Sequence, residues 1–136
     1  MNKLIPLLLA GILTAGCTAT NTAPAATLAG RWQIEEVNRI RPENPASIEF
    51  KAQDKTYHTA GGCNSLFGQY QAQNGKLHLS DAASTLMACE EPLMNLDNSL
   101  ATMIENASSY QINDNRLEIV DSQGKVLLKA VKAEQQ

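Results

Sequence analysis

Short segments in which apolar and polar residues alternate recur through most of the chain, and turn-forming residues separate them. In the first, Trp32, Ile34 and Glu36 alternate with polar neighbours, and Trp32 is expected to face inward. Asn74 and Gly75 separate two such segments, and both residue types accept the positive φ of a tight hairpin turn. A period of two is typical of half-buried strands. The pattern predicts strands over residues 30–38, 47–52, 55–61, 66–72, 76–82, 109–115, 116–122 and 125–132.

One segment has a helical period instead. Its apolar residues recur every three or four positions and form one stripe, at Leu93, Leu96, Leu100, Met103 and Ile104. Pro92 suits the first helical position, and Glu90 and Glu91 suit the positive N-terminal end. Strands on both sides of a single amphipathic helix predict an α+β fold, in which the helix covers a curled, largely antiparallel, barrel-like β-sheet.

The N-terminal residues have the composition of a bacterial secretion signal. Lys3 precedes a short apolar run, and small residues then lead to Cys17. The run is too short to cross a bilayer as a helix, which favours a cleaved signal peptide over residues 1–16. The segment Thr-Ala-Gly-Cys at residues 14–17 resembles the lipobox, although Leu is more usual where Thr14 stands. Cleavage after a lipobox leaves a lipid-modified cysteine, so Cys17 is expected to carry a lipid anchor.

Residues 17–27 are small, polar and proline-containing, and they predict a flexible tether between the lipid and the domain. Thr18 stands where an inner-membrane retention signal would typically have Asp. We therefore expect an anchor in the outer membrane and a domain that faces the periplasm. The alternative is an ordinary secreted protein in which Cys17 carries no lipid.

Composition limits the size of the domain and the class of its partners. Without residues 1–16 the chain would keep 120 of its 136 residues, which suffices for one domain, expected over residues 28–132, but not for two. It would carry 10 basic residues against 14 acidic ones, without the clustered basic face of a nucleic-acid-binding protein. We expect a monomer that binds no nucleic acid.

Two cysteines remain once Cys17 is set aside. In an oxidising periplasm an even remainder is most simply a disulfide. A bridge between Cys63 and Cys89 would close a loop of about 26 residues, worth about 3 kcal/mol if unstrained. A pair of free thiols stays open as an alternative, because sequence does not reveal how close two sulfur atoms lie.

Other chemical sites compete with the disulfide. A catalytic thiol would pair Cys63 with His58 as its base, and a helix N-terminus just after Cys89 would favour a thiolate there. A zinc site would use both cysteines with His58 and His78, but no pair has the short spacing that preorganises a metal. The chain also lacks the G-x-S-x-G elbow of a serine nucleophile. The sequence favours a domain without catalytic residues, metal or cofactor.

Several motifs together resemble the META domain, or HslJ-like, family. They are Gly-Gly-Cys-Asn at residues 61–64, Phe-Gly-Gln-Tyr at residues 67–70 and Ser-Thr-Leu-Met-Ala-Cys at residues 84–89, with Gly30 and Trp32 before them. The first and third motifs are specific at this separation. The resemblance implies a compact, non-catalytic envelope domain, often a lipoprotein, in proteins linked to heat induction and antibiotic tolerance.

The resemblance also implies roles for individual residues. A disulfide between Cys63 and Cys89 would join the first motif to the segment before the helix. Gly62 and Asn64 would turn the backbone with positive φ. The family tends to have arginine where this chain has Ser65 and Leu86, and glutamate where it has Asp97, so a basic contact surface is not expected here.

The motif residues are more concentrated around the two cysteines than a disulfide alone requires. We therefore expect an interaction module that binds another envelope protein through a surface made of Asn64, Ser65, Ser84, Thr85 and Leu86. The alternative is a purely structural protein, in which the same motifs preserve the fold and contribute to envelope integrity.

Overall fold

The computed structural model describes residue 16 and residues 27–134, apart from the side chain of Asp81. The predictions of a signal peptide and of a lipid on Cys17, and nearly all of the predicted tether, concern residues that lie outside the described ones. No helix in the described part of the chain is long and apolar enough to cross a membrane.

Eight antiparallel strands close into a barrel, and a helix connects the fifth strand to the sixth. Each strand pairs with the next along the chain, and the first pairs with the last. The elements are β1 (Gly30–Val37), β2 (Ser47–Lys51), β3 (Thr56–Ala60), β4 (Leu66–Gln73), β5 (Lys76–Ser84), α1 (Glu91–Asn106), β6 (Ser109–Asn113), β7 (Arg116–Val120) and β8 (Val126–Lys132). The predicted α+β fold, with one helix against a barrel-like antiparallel sheet, is confirmed.

The apolar residues of the alternating pattern fill the barrel. Side chains from the inner face of the sheet and from one face of α1 meet in a single cluster. The largest fully buried ones belong to Trp32, Tyr57, Phe50, Ile48, Leu77, Leu100, Met103, Ile104, Leu117, Ile119, Leu128 and Val37. Most outward positions between them are polar, as expected for strands with one solvated face, and Phe67 on β4 is an exception.

Strict alternation fails in the second half of β1. The register of β1 against β8 shifts between Ile34 and Glu36. As a result Val37 is the next fully buried residue, while Glu36 is only half-buried and lies 3.6 Å from the Arg41 guanidinium. The prediction that Glu36 shares a face with Trp32 and Ile34 is wrong, because the extra residue of a bulge reverses the alternation.

The β4–β5 hairpin turns where the sequence predicts it. Asn74 and Gly75 have φ values of 52° and 77°. Two consecutive residues with positive φ are typical of the turn that matches the twist of paired strands. Asp114, with φ of 56°, lies in the turn between β6 and β7.

Helix α1 packs against β5, β1 and β4. Leu96, Leu100, Met103 and Ile104 are all buried on its inner side, as the apolar stripe predicts. Strands β5 and β6 share a single register pair, between Lys76 and Ser109, so the two strands diverge where α1 packs on the sheet. The helix therefore completes the core on that side of the barrel.

Trp32 organises the closure of the barrel between β1 and β8. Its indole Nε1 donates a hydrogen bond to the carbonyl oxygen of Leu28, 2.8 Å away. The ammonium of Lys132 lies 4.6 Å from the ring centroid, a cation–π distance, and burial lowers the pKa of this lysine. Gly30 has φ of 116°, and a Cβ there would collide with the Lys132 ammonium. The positive φ favours glycine at position 30, beside the lysine that packs on Trp32.

The helix face provides a test of this core. Replacing Leu100, which is 0% exposed, by alanine is expected to lower the free energy of unfolding by about 3 kcal/mol, because the cavity is enclosed on all sides. The matched control Asn98→Ala, on the exposed face of the same helix, should change it by less than about 0.5 kcal/mol. Urea unfolding of the disulfide-intact protein measures both, and equal effects would contradict the proposed packing.

Candidate functional site

The two most specific sequence motifs meet at one end of the barrel. Residues 61–65, here called the turn, connect β3 to β4, and residues 85–90, here called the loop, connect β5 to α1. Leu66 pairs with Ser84, so the end of the turn lies beside the start of the loop. The candidate site consists of these two segments and of the helix residue beneath them.

A disulfide joins the turn to the loop. The structure bridges Cys63 and Cys89, whose Cα atoms are 5.7 Å apart. Both residues are half-buried, and the Cys63 sulfur lies 3.4 Å from the carbonyl oxygen of Met87. The bridge fixes the end of the loop immediately before α1 begins.

Asn64 holds the middle of the loop from its inner side. Its side-chain Oδ1 accepts hydrogen bonds from the Met87 backbone N–H at 2.7 Å and from the Thr85 hydroxyl at 3.0 Å. Its Nδ2 donates to the Met87 carbonyl at 3.2 Å. The residues before and after Leu86 are thus both bonded to one amide group, which is itself buried.

The carboxylate of Asp97 in turn holds Asn64. Its Oδ2 accepts hydrogen bonds from the Asn64 backbone N–H at 2.8 Å and from the Asn64 Nδ2 at 2.9 Å. Asp97 is only 8% exposed, and no donor among the described residues reaches its Oδ1. Helix, turn and loop are therefore connected through two adjacent polar side chains.

The glycines of the turn have different roles from the predicted ones. Gly62 and Asn64 do not have positive φ; the left-handed residue is Gly61, with φ of 105°. Gly62 is required for space instead, because a Cβ there would collide with the Asp97 carboxylate. A Cβ on Gly61 would lie 2.5 Å from the Pro45 carbonyl oxygen. The prediction assigned positive φ to the wrong two positions because sequence does not show which turn residue meets the helix.

The remaining predicted surface residues lie together at the outer side of this network. Ser65 is half-buried, and its N–H donates to the Thr85 hydroxyl at 3.2 Å. The Ser84 hydroxyl donates to the Thr85 carbonyl at 2.7 Å. Ser84, Thr85 and Leu86 are exposed, whereas Asn64 lies behind them. Of the five predicted surface residues, three are therefore exposed, Ser65 is half-buried, and Asn64 is buried and supports the others from behind.

Sequence reasoning missed two residues of the site. Met87, which is 60% exposed, follows the exposed Leu86 in the chain, and among the described residues Phe67 is the one other exposed large hydrophobic side chain. Asp97 was considered only as a departure from a family pattern. Its position in the helix carries a signal, because a carboxylate four residues after Leu93 and three before Leu100 lies on the buried stripe and requires a hydrogen-bonding partner.

The arrangement lacks the geometry for the alternative chemistries considered from sequence. Both cysteines are in the disulfide, and His58 and His78 are exposed on the outer faces of β3 and β5. Within the described residues, no group of three or more His, Cys, Asp or Glu side chains could hold a metal ion. The hydroxyls of Ser84 and Thr85 are engaged by a backbone carbonyl and by Asn64. What the site offers is an ordered, exposed loop.

Comparison with known proteins identifies the family to which this chain belongs. The sequence model of the META domain matches residues 26–134. The chain belongs to the META domain family. It is similar to the heat shock protein HslJ of Escherichia coli strain K12, with 27% identity over 124 residues that cover 86% of this chain and 87% of HslJ.

Solved structures share the fold of this META domain. An NMR structure of a protein from Burkholderia xenovorans has a TM-score of 0.57 at 17% identity, and covers 78% of this chain and 79% of its own. The crystal structure of a DUF4847 family protein from Bacteroides vulgatus has a TM-score of 0.55 at 18% identity, and covers 79% of this chain and 95% of its own. At this identity the likeness concerns the fold alone.

The network around Asn64 can be tested by removing its side chain. Asn64→Ala deletes the three hydrogen bonds that the Asn64 side chain makes to the loop, and it leaves the Asp97 carboxylate with the backbone N–H alone. We expect a loss of about 2–3 kcal/mol in the free energy of unfolding. Asn95→Ala, on the exposed side of α1, is the matched control and should have little effect. A loss as small as that of the control, measured by urea unfolding, would contradict the supporting role of Asn64.

The contact between Gly62 and Asp97 predicts a coupled effect. Gly62→Ala is expected to destabilise the META domain by about 1–3 kcal/mol, because the methyl group overlaps the carboxylate. In an Asp97→Ala background the same substitution should cost less, since the overlapping atoms are gone. A double-mutant cycle measures this coupling, and strictly additive effects would show that Gly62 is required for another reason.

Proposed function

We propose that this META domain is a non-catalytic protein-interaction module of the bacterial envelope, in which the loop contacts the partner. The observation that carries the proposal is the exposure of Leu86, at 97%, next to Met87, at 60%, on a loop whose backbone is fixed from within. Large apolar side chains exposed side by side are typical of interaction sites. At 97% exposure, the Leu86 side chain buries almost no apolar surface within the isolated domain.

The order of the loop supports a binding role rather than a passive one. A disulfide and the Asn64 side chain already hold the residues on both sides of Leu86. A preorganised loop loses little conformational entropy when a partner binds, so more of its contact energy contributes to affinity. A loop that served only to connect β5 to α1 would not require this internal support.

The N-terminal sequence supports the proposed envelope location. A signal peptide over residues 1–16 and a lipid on Cys17 would hold the domain at the outer membrane on a tether that ends near residue 27, facing the periplasm. In that oxidising compartment the bridge between Cys63 and Cys89 would persist. The similarity to a protein named heat shock protein HslJ supports a role in tolerance of heat stress. A role in antibiotic tolerance is what the resemblance to the family implies.

Intact mass spectrometry of protein extracted from membranes tests the anchor. We expect the mass of the chain from residue 17 onward plus a diacyl or triacyl adduct, together with two thiol alkylations that appear only after reduction. Cys17→Ala should lose the adduct and the membrane association. An unmodified mass for the wild-type protein would contradict the lipid anchor.

Site-specific photocrosslinking in stressed cells tests the interaction itself. A photoreactive amino acid at position 86 should give a discrete protein adduct, whereas the same group at Gln111, an exposed residue on β6, should not. Leu86→Asp should abolish stress tolerance while the urea midpoint stays unchanged, because the side chain packs against nothing. If tolerance is lost only in variants that are also destabilised, the purely structural role is correct instead.

A further inference from the structure

Resting on the proposed interaction role, we propose that the loop inhibits a serine endopeptidase of the envelope by binding its active-site cleft like a substrate. In this arrangement Leu86 fills the primary specificity pocket, and the peptide bond between Leu86 and Met87 faces the catalytic serine. The partner class is a peptidase whose specificity pocket is apolar.

The first observation is the way the bond between Leu86 and Met87 is held. The Thr85 hydroxyl and the Met87 N–H both donate to Oδ1 of Asn64, at 3.0 and 2.7 Å, and the Met87 carbonyl accepts from its Nδ2 at 3.2 Å. A single buried side chain thus supports the residue before Leu86 and the residue after it. Asn64 cannot move freely, because the Asp97 carboxylate binds both its side chain and its backbone.

The second observation is the exposure of the segment. Ser84, Thr85, Leu86, Met87 and Ala88 are all exposed, and β5 continues directly into the loop. Peptide-recognition clefts accept such extended segments, with main-chain bonds giving affinity and side-chain pockets giving specificity. Leu86 points entirely into solvent at 97% exposure, so it can enter a pocket without any change in the domain.

The same contacts determine what would happen after a peptidase attacked the bond between Leu86 and Met87. The peptidase serine would add to the Leu86 carbonyl, its proton passing through the catalytic histidine to the Met87 nitrogen as the peptide bond breaks and an acyl ester forms. The new Met87 amine would stay in place, because Asn64 binds Met87 and the disulfide at Cys89 retains the chain just beyond it. The amine can therefore attack the ester, restore the peptide bond and return the proton to the serine before water hydrolyses the ester. A held amine has a high effective concentration.

Charge favours a protein partner over a lipid surface. The loop leads into Glu90 and Glu91, both exposed at the start of α1. Two carboxylates that follow Leu86 and Met87 within a few residues would be repelled by anionic headgroups, whereas surfaces that dock on bacterial membranes are commonly basic. We therefore assign Leu86 and Met87 to contact with a protein and not with a lipid surface.

Enzyme inhibition by the purified, disulfide-intact domain tests the proposal. Chymotrypsin and subtilisin have apolar specificity pockets and serve as probes, and trypsin, whose pocket is acidic, is the matched control. We expect inhibition of at least one apolar-pocket enzyme with a Kd of about 1 μM or tighter, and none of trypsin. Leu86→Asp should weaken this inhibition at least 100-fold, whereas Leu86→Lys should transfer inhibition to trypsin. Urea unfolding confirms that both variants are folded.

A second readout separates an inhibitor from a good substrate. The wild-type loop should be cleaved at the bond after Leu86 at least 100-fold more slowly than in Asn64→Ala, in which the support is gone. Rapid cleavage of the wild-type loop, or no inhibition of either apolar-pocket enzyme, would overturn the proposal. Binding of the wild-type domain to phosphatidylethanolamine–phosphatidylglycerol vesicles that Leu86→Asp abolishes would likewise overturn it in favour of a membrane contact.

The crosslinking experiment distinguishes this inference from the function on which it rests. An adduct at position 86 with a protein that is not a peptidase, without enzyme inhibition, retains the interaction module and rejects the inhibitor. Absence of both the adduct and the inhibition rejects both.

Discussion

The buried carboxylate of Asp97 connects the core of the domain to its candidate site. It projects from the apolar face of α1, whose position is fixed by Leu100 and Met103 in the barrel interior. Burying a carboxylate is costly unless hydrogen bonds compensate, and here two N–H groups of Asn64 bind Oδ2, whereas Oδ1 has no donor among the described residues. The backbone of Gly62 approaches so closely that a Cβ there would overlap the carboxylate. These contacts fix the turn relative to the helix. The hydrogen bonds from the Asn64 side chain to Thr85 and Met87 then fix the loop relative to the turn.

Two linkages of different kinds act on the loop. The disulfide between Cys63 and Cys89 is covalent and, in the chain-entropy account, stabilises chiefly by restricting the unfolded chain. Asn64 acts within the folded state, because its hydrogen bonds orient the backbone on each side of Leu86. The covalent bridge determines how far the loop can move, and the amide determines which way it faces. A loop with both supports can present apolar side chains to solvent without collapsing onto the barrel.

More of the fold than of the candidate site could be predicted from the sequence. Alternation identified the strands, Asn74 and Gly75 identified a hairpin, and the stripe through Leu100 identified the helix, because each signal is local and repeats with a fixed period. The bulge that buries Val37 could not be predicted, since it depends on pairing with β8. The contact of Gly62 with Asp97 was also inaccessible, because it joins residues far apart in sequence. The sequence motifs indicated where the site lies. They did not indicate Asp97, the helix residue outside the motifs that binds Asn64.

These features give one physical account of the two cysteine-containing motifs in this chain: they build a rigid loop and expose Leu86 and Met87. The most direct test is backbone ¹⁵N relaxation of the oxidised wild-type domain in solution. The account predicts order parameters for the amides of Leu86 and Met87 of about 0.85, equal to those of the barrel strands. Values below about 0.6 at these two amides would show a mobile loop and would contradict the account.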